Sequence, residues 1–93
     1  MTAKQFYLRN PEYLKKATRQ EMKVILEKKF TTIEDVKIFM KLAGRPKDYV
    51  KARMEELSRK FYKDSCCKEM YGSEMKYIIE MFKSEMNLIY SKD

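Results

Sequence analysis

The chain has 93 residues, the length of one small domain, and carries 21 Lys and Arg against 14 Asp and Glu with no His, for a formal charge of +7. That length excludes a second sizeable core, and the missing histidines remove the commonest general base and metal ligand. With only 2 Gly and 2 Pro, hairpin-rich sheets are excluded as well, so we expect an all-α fold: a bundle of four to five helices forming a single domain over residues 1–93.

Asn10-Pro11 reads as a cap followed by a proline in the first helical position, and Thr18-Arg19-Gln20-Glu21 has the spacing of a capping box. A helix is expected to start at one or both and to end near Lys29, with Met22, Ile25, Leu26 and Phe30 as its core stripe. Thr31-Thr32-Ile33-Glu34-Asp35 then offers two overlapping capping boxes with acidic residues in the first turn, where the helix dipole favours them. The second helix should run to Ala43 and close at Gly44. Its residues Ile33, Val36, Phe39, Met40 and Ala43 share one face, while Ile38 and Leu42 point away, so packing on two sides is expected.

Pro46 is expected to open a third helix reaching about Tyr62, with Val50, Met54, Leu57 and Phe61 as its seam. Lys63 to Tyr71 reads either as its continuation or as a connection. Gly72 and Ser73 can end one element and cap the next, a C-terminal amphipathic helix over residues 73–90, after which Tyr71, Met75, Ile78, Ile79, Phe82, Met86 and Ile89 align. Tyr77, Met81 and Leu88 form a second apolar strip opposite that line. Homodimerisation is the simplest way to cover such a strip; the alternative is cover within the monomer by Phe6-Tyr7-Leu8, Ile38 and Leu42.

No phosphate-cradling loop is present because both glycines stand alone, and the neighbouring carboxylates Glu34-Asp35 and Glu55-Glu56 diverge around their helices. Adjacent Cys66 and Cys67 suit neither a disulfide framework nor a zinc site, and a reduced state is expected. These features predict a protein that is not an enzyme and needs no cofactor or metal. There is no apolar run of about 20 residues and no signal-peptide core near Met1, so a cytoplasmic protein without a membrane partner is expected. The excess of positive charge points to a polyanionic partner.

The stretch from Thr32 through Leu42-Ala43-Gly44-Arg45-Pro46-Lys47-Asp48 to Val50, Met54 and Leu57 resembles a helix-turn-helix DNA-binding motif, with residues 18–61 as its core. Two features depart from that pattern: bulky Met40 stands where such motifs carry a small residue, and Asp48, Glu55 and Glu56 share the outward face. The resemblance implies that Lys47, Asp48 and Lys51 reach base edges while Arg45, Arg53 and Arg59 grip phosphates. It implies a small regulator that acts by occupying duplex DNA. The same helix-Gly-helix pattern also describes an ordinary corner of a bundle. A protein inhibitor or adaptor of the kind phages and mobile elements encode, docking on an acidic or nucleic-acid-binding protein surface, is the other function expected.

Overall fold

Residues 2–92 are described by a computed structural model and form six helices, with no strand among them. These are α1 (Ala3–Arg9), α2 (Pro11–Glu27), α3 (Ile33–Leu42), α4 (Tyr49–Lys63), α5 (Ser65–Tyr71) and α6 (Glu74–Lys92). The count exceeds the expected four to five for two local reasons. Thr2 and Gln5 form a reciprocal capping box that starts α1, and the Asp64 carboxylate accepts from the Cys66 N–H, which turns the ambiguous stretch before Gly72 into the short α5. No described helix is long and apolar enough to cross a membrane.

α2 begins at Asn10-Pro11, so Thr18 lies inside the helix and caps nothing. It stops at Glu27, and Lys28 is already extended at φ −64°, ψ 134°. Helical periodicity therefore no longer governs Phe30, which is 82% exposed instead of completing the core stripe with Met22 and Ile25. At α3 the chain uses only one of the two overlapping boxes: Thr32 Oγ1 accepts from the Asp35 N–H at 3.2 Å, and Asp35 accepts from the Thr32 N–H at 3.3 Å. Lys28 Nζ donates to the same carboxylate at 2.7 Å, fastening the end of α2 to the start of α3.

The Lys28 ammonium, with Thr32 behind it, holds the Asp35 carboxyl below its ordinary value against the opposing effect of burial. A carboxyl whose pKa is lower folded than unfolded stabilises the fold above its unfolded value, near 4, and that contribution is lost as the pH falls through the folded value. Asp35→Ala should therefore lower the unfolding free energy by about 1–2 kcal/mol at neutral pH. The difference from the parent should narrow below about pH 4. Urea denaturation of both proteins at the two pH values measures it.

The unused half of the overlapping pair leaves a buried polar group. Thr31 is 5% exposed, and its hydroxyl has no hydrogen-bond partner. Replacing an orphaned buried hydroxyl by a methyl of the same shape removes a desolvation cost. We expect Thr31→Val to stabilise the protein by about 1 kcal/mol, read as a higher urea midpoint with unchanged slope.

The buried side chains form one cluster: Met22 and Ile25 of α2, Val36, Phe39 and Met40 of α3, Val50, Leu57 and Phe61 of α4, and Tyr77, Ile78, Phe82 and Met86 of α6. α6 contacts every other helix except α1 and is the axis of the bundle. Its pairings fix the directions. Arg19 meets Tyr90 and Lys29 meets Lys83, so α2 runs antiparallel to α6; Tyr49 meets Glu85 and Tyr62 meets Glu74, so α4 does too. The buried stripe of α6 is rotated toward Tyr77 from its expected line, leaving Met75 half exposed, because α4 and α5 cover the Tyr77 side. The second side of α3 is only partly used: Leu42 packs against the core, whereas Ile38 is exposed.

Among the described residues α1 touches only α2. The 17-residue α2 is longer than the 10-residue α3 beside it. Its first two turns, roughly 10 Å, thus overhang the bundle together with α1, giving principal extents of 55 × 24 × 21 Å.

Candidate nucleic-acid interface

The corner between α3 and α4 is built by Gly44. Its φ of +79° is the left-handed conformation that a side chain disfavours, and two reversed hydrogen bonds close the helix around it. The Gly44 N–H donates to Lys41 O at 3.0 Å and the Arg45 N–H to Met40 O at 2.9 Å. Met40 is fully buried beneath the corner. The chain then needs residues 43–48 to reach α4, a longer turn than the three or four residues usual in helix-turn-helix pairs.

α4 starts at Tyr49, not at Pro46. Pro46 lies in the turn, where its carbonyl accepts from the Tyr49 N–H at 3.0 Å, and Asp48 takes the cap position. Lys47 and Asp48 are accordingly exposed turn residues, not members of a recognition helix, while Lys51 is exposed in the first turn of α4. Arg45 is exposed beside them, its guanidinium 5.8 Å from the centre of the Tyr49 ring.

The other two arginines stand apart from this group. Arg53 is held by Glu56 at 3.0 Å and by Glu85 of α6 at 3.8 Å. The Tyr49 hydroxyl donates to the same Glu85 carboxylate, and burial followed by that carboxylate pushes the phenol above its ordinary value, so it stays a protonated donor. Tyr49, Arg53 and Glu85 together fasten the N-terminal end of α4 to α6, a structural use of Arg53. Arg59 is exposed but lies ten residues along α4 from Tyr49, about 15 Å by the helical rise.

Basic residues of α2 that no motif in the sequence singles out join the corner in space. A cleft of about 300 Å³ has Lys15, Thr18 and Arg19 of α2 on one side and Leu42 and Ala43 on the other. The overhang and the Gly44 corner therefore occupy one end of the molecule. Arg19 lies over the Tyr90 ring at 4.4 Å, and its Nη1 is buried with no hydrogen-bond partner. Residues 1–20 hold five Lys and Arg against one Glu, and residues 45–63 hold seven against three, whereas residues 64–93 hold four against six. Both segments that contribute to this end carry net positive charge, with Arg59, Lys60 and Lys63 of the second lying toward the far end of α4. That segmental count was the signal available in the sequence.

The expected partner strip on α6 is dispersed. Tyr77 is buried, with its ring centre 5.8 Å from Phe61 and 5.1 Å from Tyr71. Met81 packs against the core, and Leu88 alone of the three is open, at 63% exposure. The cover over Tyr77 comes from α4 and α5, not from Phe6-Tyr7-Leu8. Cys66 and Cys67 are free thiols, exposed and half-buried respectively. Compared with known proteins, the chain matches no family model, no curated protein and no solved structure.

Proposed function

We propose that the chain binds duplex DNA through its basic end and acts by occupancy, as a small regulator would. The observation that carries this reading is the convergence of the α2 overhang and the Gly44 corner, which sets Lys15 and Arg19 on the cleft that Leu42 and Ala43 close. Lys47 and Lys51 flank the start of α4, where a groove-reading helix presents its contacts, and Arg45 adjoins them. Lys4, Arg9, Lys15 and Lys16 extend the positive surface along the overhang, suited to tracking a phosphate backbone. In this reading Arg53 is a structural residue, and Asp48, Glu55 and Glu56 border the contact without entering it.

A phosphate contact contributes about tenfold to affinity at 0.1 M salt through counterion release. Lys47→Glu with Lys51→Glu should therefore weaken duplex binding about hundredfold and lower the salt slope by about two, with helix content by circular dichroism unchanged. Unchanged affinity in that double variant would sink the reading. Both side chains are exposed, so loss of folding is not expected to confuse the result.

A further inference from the structure

A trough of about 670 Å³ lies between the α2–α3 connection and the first half of α6, separate from the basic end. Two local events create it. α2 ends at Glu27, which releases Phe30 to the surface beside Ile33, and Ser73 caps α6 through the Lys76 N–H at 3.2 Å. Met75 and Ile79, one turn apart on α6, then form the facing apolar wall. Phe30 and Met75 are 82% and 51% exposed, two large apolar side chains of the trough's lining left to solvent.

The rim is basic. Lys29, Lys76 and Lys83 border the trough against a single carboxylate, Glu80, and Lys83 Nζ reaches across to Lys29 O at 3.3 Å. Two copies of this face would oppose their own lysines, which disfavours self-association there. A nucleic-acid backbone would gain nothing from the apolar floor. The combination fits an apolar stripe flanked by carboxylates, and the ten residues of α6 from Glu74 to Lys83 span about 15 Å, nearly three helical turns.

We propose that this trough docks an acidic amphipathic helix of a partner protein. Its apolar side chains enter between Phe30, Ile33, Met75 and Ile79, and its carboxylates pair with Lys29, Lys76 and Lys83. The site is independent of the DNA-binding reading, because none of these residues belongs to the basic end.

The test is selection of a displayed random-peptide library on the full chain, followed by titration of the enriched peptides while observing the methionine and isoleucine methyl resonances. The expected binders are rich in Asp and Glu, carry large apolar residues at helical spacing, and shift Met75, Ile79 and Ile33. Lys76→Glu should weaken them about tenfold, since it removes one rim pair and adds a repulsion. Phe30→Ser, at a site too exposed to support the core, should weaken them as well. Failure to enrich acidic sequences overturns the proposal, as does binding unaffected by both substitutions or methyl shifts confined to the basic end. A dimer in sedimentation that Phe30→Ser dissociates would make a second copy the occupant and overturn it too.

Discussion

Reversing four charges at the basic end, with Lys15→Glu, Lys16→Glu, Lys47→Glu and Lys51→Glu together, should lower affinity for duplex DNA by about 10⁴-fold at 0.1 M salt. The slope of log affinity against log salt should fall by about four. Two of these lysines lie on the first half of α2 and two at the Gly44 corner, so the experiment asks whether both segments touch one polyanion. If they do, the Lys15/Lys16 pair and the Lys47/Lys51 pair should each remove about half of the logarithmic loss, because well-separated phosphate contacts add. If the corner alone binds, the Lys15/Lys16 pair should leave the slope nearly unchanged. All four side chains are exposed, and an intact urea midpoint confirms that the fold is retained.

Phe82→Ala should cost about 3–5 kcal/mol of unfolding free energy. Phe82 is 0% exposed at the middle of α6, the helix on which α2, α3, α4 and α5 all pack. Deleting its ring leaves a void shared among several helices, which none of them can close alone. In a chain of this size such a loss corresponds to a fall in melting temperature of well over 10 °C and removes much of the margin of a small domain. Thermal denaturation followed by circular dichroism measures it. A Leu88→Ala control, at a 63% exposed position on the same helix, should change stability by less than about 0.5 kcal/mol.

Much of this bundle was legible from caps and periodicity. Asn10-Pro11, Thr32 with Asp35, Gly44, Gly72 and Ser73 each sit at an element boundary, because each has a local reason to end or begin a helix that packing does not override. The misses follow from the same local rules extended too far. Continuing the helical period past Glu27 places Phe30 on the core stripe, but the backbone turns extended there and Phe30 is exposed. Pro46 suits the first turn of a helix, but here it suits the preceding turn equally, and α4 waits until Tyr49. α5 is seven residues long, too short for periodicity to declare it, and its absence from the sequence reading made Tyr77 look uncovered.

The candidate site was legible only in part, for a different reason. Helical spacing identifies residues that share one helix face, so it could group Lys47 with Lys51, four residues apart. It is blind to which residues of another helix arrive alongside. α2 is tied to the start of α3 by Lys28 with Asp35 and to the end of α6 by Arg19 over Tyr90, the second a contact between residues far apart in sequence. These contacts carry Lys15 and Arg19 to the corner. The pairing of Arg53 with Glu85 is hidden from helical spacing for the same reason, since Glu85 lies on α6.

The most direct measurement is a fluorescence-anisotropy titration of the full chain against a labelled duplex of random sequence at two salt concentrations. A basic end that engages six or more phosphates through the overhang and corner predicts tight binding at low salt, with affinity falling about 10³-fold or more between 50 and 200 mM. Absence of binding at the lower salt would contradict the DNA-binding reading and make the Gly44 turn an ordinary corner of a helical bundle.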